Sequence, residues 1–198
     1  MDKIKSVNKY TLKDQLVRDV GYLEGHTRIT IFEDGKKPFV HFDKHNIIVN
    51  NARKVMAHLI GDCAGGAYSC INRFLLGGDN TLTSAQLLSP TVPVVTDTAI
   101  KYVTNLFTRN STDTGAGSVA LMSASYPDSP SEVSCLFSII IQKTEGNIMD
   151  PVPTVYTAAG LVAVDTAGSA PLLFASQTFP VITKTPQREI LFEWEIRY

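Results

Sequence analysis

The clearest pattern in the chain is an alternation of apolar and charged residues at its carboxyl end. Between residues 188 and 198, one parity carries mainly apolar and aromatic side chains and the other carries mainly glutamates. Residues at every second position of a β-strand share one face, so this segment predicts a strand with an aromatic face buried and an acidic face in water. Cys135, Phe137 and Ile139 alternate with serines in the same way. We expect both runs to be central strands of a sheet.

A β-hairpin is predicted near the beginning of the chain. The β-rich runs at residues 27–32 and 38–42 flank an Asp34-Gly35 pair, which is a typical hairpin signal. A third run, residues 47–49, leads into a helical pattern in which one stripe contains Ala52, Val55, Met56, Leu59 and Ile60. An asparagine can cap its start and Gly61 can end it, so we predict one short α-helix at about residues 51–60.

The remaining chain predicts further strands. After Gly61, β-rich runs alternate with Gly, Pro, Ser, Thr and Asp, as in all-β domains. The candidate strands are residues 71–76, 100–108, 132–142, 160–164 and 178–183. The prediction is therefore a mainly β protein, an antiparallel β-sandwich with one short helix. A flattened barrel is the alternative, because alternation does not encode strand order.

The first twenty residues have no helical or strand period. They mix charges with isolated apolar residues such as Tyr10, Leu12, Leu16 and Val17. We interpret residues 1–20 as an N-terminal arm that can dock on a neighbouring surface. No Pro- or Gly-rich linker divides the remaining chain, and 198 residues suffice for one substantial core. Residues 21–198 are therefore expected to form a single domain.

A charge-poor stretch occupies the second half of the chain. Between residues 146 and 187 only Asp150, Asp165 and Lys184 are charged, whereas a free surface usually carries more charge. Two buried strands joined by a loop would explain this composition. A contact surface between subunits would explain it equally well.

Charge and composition exclude several classes of protein. Eighteen Lys and Arg against nineteen Asp and Glu give a net charge of −1, so the long-range field of a nonspecific nucleic-acid binder is missing. No apolar run approaches the roughly 20 residues of a membrane span, and no signal segment follows the basic start. Three cysteines are too few for a disulfide scaffold. We expect a soluble protein made in a reducing compartment, with neither nucleic acid nor membrane as a partner.

Few residue patterns point to chemistry. His41, Asp43 and His45 would share one face of a strand and could bind a divalent metal, but a polar strand edge is the favoured interpretation because no distant ligand pattern completes the site. His58 could lie near Cys63, yet no nucleophile motif surrounds that cysteine. Residues 77–80, Gly-Gly-Asp-Asn, are interpreted as a turn, and the glutamates of the last segment as a solvated face. We therefore expect no catalytic residues, no metal and no cofactor.

Several segments together resemble a known class of protein. They are the hairpin ending in His-Phe-Asp at residues 41–43, the Asn-Ile-Ile-Val-Asn-Asn entry into the helix at 46–51, the Ile-Asn-Arg-Phe-Leu-Leu-Gly-Gly run at 71–78, the segment 90–99 with its Thr-Asp-Thr, and the closing Ile-Leu-Phe-Glu-Trp-Glu-Ile at 190–196. From about Thr27 onward the chain resembles small virion structural proteins of tailed bacteriophages. The resemblance implies a β-sandwich subunit assembled in several copies at the neck or collar, or in the tail or baseplate. It transfers no catalytic residue.

The expected function is therefore structural. The partners would be copies of the chain and other virion proteins of the neck, tail or baseplate, and its location would be the virion after synthesis in the host cytoplasm. Buried aromatic and apolar residues dominate assembly energies, and the interface candidates are Tyr10, Leu12, Leu16, Tyr68, Tyr102, Tyr156 and Phe174. The competing function is a carbohydrate- or receptor-binding module, whose loops would hold ligand around Tyr68, Asp79, Tyr126 and Asp128.

Overall fold

A computed structural model describes residues 23–53, 55–56, 70–127, 134–149, 152–164 and 171–197 of the chain. Within these residues it contains the strands β1 (Glu24–Glu33), β2 (Phe39–Ile48), β3 (Ile71–Gly78), β4 (Asn105–Asn110), β5 (Met122–Ser125), β6 (Ser134–Ile141), β7 (Thr154–Ala163), β8 (Leu172–Lys184) and β9 (Arg188–Arg197). The helical elements are α1 (residues 51–53 and 55–56), α2 (Ser84–Leu88) and a 3-10 turn (Ala116–Ser118). The predicted mainly β fold is confirmed.

The described strands form one antiparallel sheet in the order β4-β3-β7-β8-β2-β1-β9-β6-β5. The sheet folds over at β2, which pairs with β1 along most of its length but with β8 only through Ile47 and Ile48. The half containing β1, β9 and β6 therefore faces the half containing β3, β7 and β8. Because the folded sheet is nearly closed, the architecture combines features of a sandwich and a flattened barrel.

One core fills the space between the two halves. The inward residues of β9, Ile190, Phe192, Trp194 and Ile196, are buried as the alternation predicts. Phe192 meets Phe74 of β3 and Phe179 of β8, with ring centroids 4.9 and 5.9 Å apart. Burial of one such side chain contributes about 2–3 kcal/mol, so these cross-core contacts hold the halves together.

The connection between β3 and β4, residues 79–104, forms a third layer, which we call the excursion. Its buried Ile100 lies on the outer face of β3 and β7, in a second apolar cluster with Val49, Val162 and Leu173. A side chain at Gly160 would collide with Ile100 and Leu173, so this glycine provides the space that Ile100 occupies. As a result β7 is buried on both faces, which explains its charge-poor sequence.

Several predicted elements need correction. The candidate strand 100–108 begins only at Asn105, because residues 100–104 lie over the sheet and Tyr102 adopts a positive φ of 55°. The prediction of a single helix was wrong, since α2 follows Thr83. The Thr83 hydroxyl and the Gln86 side chain cap the start of α2 reciprocally. Of the predicted helix 51–60, residues 51–53 and 55–56 are helical; residues 57–60 and the arm 1–20 lie outside the described residues.

Candidate functional site

The excursion and the start of β4 carry several exposed apolar side chains. Six of them are between 44% and 70% exposed, namely Leu88, Val92, Val94, Val95, Val103 and Leu106, the last at the start of β4. We call these residues the apolar surface. Single exposed apolar residues are common in soluble proteins, whereas interaction sites present several together.

Asp79 and Asn80 fix the start of the excursion. The Asp79 carboxylate accepts hydrogen bonds from the backbone and the hydroxyl of Thr81, at 2.8 and 2.7 Å, and from the Thr104 hydroxyl at 3.1 Å. The bond from the Thr81 hydroxyl is the main reason why the pKa of Asp79 is lowered. Asn80 bonds to Asn105 and donates to the carbonyl of Pro153 at 3.2 Å. These contacts tie both ends of the excursion to the sheet.

Further bonds hold the middle of the excursion. Asp97 accepts from Lys101 at 2.8 Å and from the Val94 backbone at 2.9 Å, and the hydrogen bond from Lys101 is the main cause of its lowered pKa. The backbone of Asn50 donates to the Val95 carbonyl at 2.7 Å. Between residues 80 and 106 the sequence contains no charged residue besides Asp97 and Lys101. Since these two pair with each other, the apolar surface is both well anchored and electrically neutral.

The predicted interface residues lie in different environments. Tyr156 and Phe174 lie in β7 and β8 and are buried in the chain's own core. Tyr156 donates its hydroxyl to the Gly146 carbonyl at 2.8 Å. Tyr102 is half-buried in the excursion, where its hydroxyl accepts from the Thr91 backbone at 2.8 Å. Tyr10, Leu12, Leu16 and Tyr68 lie outside the described residues.

The charge-poor stretch at residues 146–187 supplies two buried strands. β7 and β8 contain its apolar runs, and nearly all of their side chains between Thr154 and Phe179 are inaccessible to solvent where the structure describes them. Three apolar residues of this stretch, Ile148, Met149 and Val152, are exposed, as are those of the excursion, which were not predicted from the sequence. The signal was present, because no residue between 80 and 96 is charged.

A polar cluster occupies the outer face of β1 and β2. His26 Nε2 donates to Asp43 Oδ1 at 2.8 Å, and the ring of His45 lies edge-on to that of His26 with centroids 5.4 Å apart. His41 is absent from this cluster, because a bulge in the β1–β2 pairing leaves it opposite no residue and its Nε2 contacts the Pro180 carbonyl at 2.8 Å. Asp43 and His45 therefore lie beside His26 and not beside His41.

Among the described residues, the two most deeply buried cations are Arg109 and Lys184. Arg109 bonds to Glu145, to Asp113 and to the Ile140 carbonyl, and thereby ties β4 to β6 and to the loop after it. The Lys184 ammonium donates to the carbonyls of Lys143 and Thr185 at 2.9 and 3.0 Å. Burial lowers the pKa of Lys184 to about 8, against the opposing effect of Glu145 and Glu189.

The lowered pKa of Lys184 predicts a pH-dependent stability. Its unfolded pKa is near 10.5, so the unfolded chain binds more protons between pH 8 and 10.5, and stability should rise with pH in this window. Lys184 alone should add about 1–2 kcal/mol to the free energy of unfolding in urea between pH 8 and 9.5, and buried Cys135, whose pKa is raised, offsets part of this gain. Burial raises the pKa of Tyr156, an effect that lowers stability only above about pH 10.

The Lys184→Met variant is the control for this prediction. It retains most of the aliphatic volume but cannot titrate, so its unfolding free energy should follow the wild-type curve without the rise above pH 8. If the unfolding free energy rose equally with pH in the wild type and in Lys184→Met, the assignment of the rise to Lys184 would be contradicted.

The described residues contain no group of three His, Cys, Asp or Glu side chains placed to hold a metal ion. In the same residues no helix has the length and apolar character to cross a membrane. No protein-family model matches the chain, and no significant match exists among the curated proteins or the solved structures.

Proposed function

We propose that the chain is a structural subunit of a tailed-bacteriophage virion, which assembles with copies of itself at the neck or collar, or in the tail or baseplate. The observation that carries the proposal is the apolar surface of the excursion. Hydrogen bonds accepted by Asp79 and Asp97 and donated by Asn80 hold the surface in place, so little conformational entropy is lost when a partner covers it.

A second copy is the partner that this surface fits best. The only charges of residues 80–106 pair internally through Asp97 and Lys101, so two copies can approach with no like charges facing each other. Exposed valine and leucine side chains would be desolvated at the contact, at about 25 cal/mol per Å² of apolar area. The resemblance of the segments between Thr27 and Ile196 to virion proteins supports the same proposal.

The proposal predicts that one charge in the apolar surface will weaken self-association. Val94→Asp should raise the dissociation constant of the oligomer at least tenfold, because the carboxylate would lose its water at the contact. Val119→Asp is the matched control, since Val119 is 59% exposed against 52% for Val94 and lies in the 3-10 connection to β5. Sedimentation velocity over a concentration series measures both variants, and thermal unfolding verifies that both are folded.

A location in the particle is tested independently. Mass spectrometry of purified virions should detect the chain in several copies, and imaging of particles labelled on it should place the label at the neck or tail. A protein that remains monomeric at all concentrations and is missing from virions would overturn the proposal.

A carbohydrate-binding module is the second candidate. Tyr126 is 54% exposed at the end of β5, where its ring could stack on a sugar. Against this function, the Asp79 carboxylate is occupied by Thr81 and Thr104, while Tyr68 and Asp128 lie outside the described residues. Saturable binding on a glycan array, lost in Tyr126→Ala, would favour the module over the structural subunit.

A further inference from the structure

His26 and His45 are cross-strand neighbours on the outer face of the sheet. They are directly paired in the β1–β2 register, and their ring centroids are 5.4 Å apart. Two imidazoles bound to one tetrahedral zinc ion, with Zn–N distances of 2.0–2.1 Å, have centroids about 5.2 Å apart. The backbone thus already places the rings at the separation that a shared metal requires. A shared metal requires that the His45 ring turn about its terminal side-chain torsion, which has broad minima, while His26 keeps its contact with Asp43.

Asp43 prepares His26 for this role. Because its carboxylate accepts from Nε2 at 2.8 Å, the proton of a neutral His26 is held on Nε2 and the lone pair is left on Nδ1. Metal-binding histidines almost always donate their other ring N–H to a carboxylate or a carbonyl, which orients the ring and increases its basicity. His26 has this second contact before any metal binds.

The surroundings of the two rings favour a cation. Both rings line a groove of about 200 Å³ together with Glu24, Gly25, Glu195 and Arg197. Among its lining residues, two carboxylates stand against one guanidinium group, that of Arg197, which bonds to Glu195. The groove therefore has a net negative charge and room for a hydrated ion or for a side chain of a partner.

We propose that His26 and His45 form half of a binding site for a divalent transition metal such as Zn²⁺, which the same pair of a second copy completes. Two imidazoles from each copy give the four ligands of a tetrahedral site. The inference rests on the proposed self-assembly, to which it adds a metal-bridged contact between subunits.

The first experiment titrates the untagged full-length protein with ZnCl₂. Elemental analysis after dialysis should find one zinc ion per two chains, and sedimentation velocity should show a mass increase that excess EDTA reverses. One zinc per chain without a change of mass would overturn the shared site, and so would the absence of bound zinc.

Variants locate the site. His26→Ala and His45→Ala should each weaken zinc binding at least tenfold, and Asp43→Ala should weaken it by about 10- to 100-fold through the loss of ring orientation. His41→Ala is the matched control, because His41 lies on the same strand but contacts Pro180 instead. Zinc binding that survives His45→Ala, or that is lost equally in His41→Ala, would contradict the assignment.

The zinc site and the apolar surface can fail separately. If the protein assembles equally well with zinc and with EDTA, and binds no zinc, the metal site is refuted while the proposed function stands. If Val94→Asp and the wild type are both monomeric without zinc, yet both dimerise when it is added, the zinc site is supported and assembly through the apolar surface is refuted.

Discussion

Replacing Arg109 by methionine should lower the free energy of unfolding by about 3 kcal/mol, which for a protein of this size corresponds to a fall in Tm of about 10 °C. The arginine side chain is 5% exposed and its Nη2 donates to the Ile140 carbonyl at 3.1 Å. Methionine fills a similar volume but leaves the carboxylates of Glu145 and Asp113 without their shared cation. Urea unfolding measured by tryptophan fluorescence from the buried Trp194 is a suitable readout.

Two further variants separate charge from packing at this site. Adding Glu145→Gln to Arg109→Met should recover about 1 kcal/mol, since the uncompensated carboxylate is then removed. Arg73→Met on the neighbouring strand should cost less than about 1 kcal/mol, because Arg73 is half-buried and makes a single bond to Asn110 at 3.1 Å. If Arg73→Met were as damaging as Arg109→Met, the proposed stabilisation by the bonds of Arg109 between β4 and β6 would be disproved.

The sequence predicted best those strands that have one face in the core and one in water. β9 and β6 are of this kind, and the alternation around Trp194 and Phe137 identified their buried faces correctly. β7 could not be predicted as readily, because the excursion covers its outer face and Ile100 packs there. A strand that is buried on both sides loses its alternation, so composition alone left a subunit interface as an equal explanation.

Contacts between strands were less accessible to prediction than the strands themselves. The hairpin of β1 and β2 was expected from Asp34-Gly35, but the neighbours across it depend on register. The bulge at His41 shifts the pairing so that Thr30 lies opposite Val40 while Ile29 lies opposite Phe42. A shift of one residue moves side chains to the other face, and for this reason the sequence suggested His41 where the structure places His26.

The apolar surface was not predicted from the sequence, for a different reason. The segment with Val92, Val94 and Val95 has neither a helical nor a strand period, so its pattern indicates a loop. Their position depends on bonds between distant segments, such as those of Asn80 to Asn105 and to Pro153. Such contacts follow from the folded topology and leave no local signal, whereas the lack of charge between residues 80 and 96 is visible in the sequence and can be sought in other chains.

Gly78→Ala should destabilise the fold by at least about 3 kcal/mol and should also weaken self-association. An added β-carbon would lie far inside van der Waals contact with the Val155 carbonyl and 2.8 Å from the Tyr156 Cα. The strands β3 and β7 would therefore have to separate where Asp79 and Asn80 anchor the apolar surface.

Gly35→Ala is the control, since Gly35 has a φ of +73° but open space around it. Backbone strain alone should lower the free energy of unfolding of this variant by about 1–2 kcal/mol. Urea unfolding and sedimentation velocity measure the two effects. A Gly78→Ala protein as stable as Gly35→Ala would show that this close backbone contact does not constrain the sheet, and normal assembly of such a protein would remove the link between the contact and the apolar surface.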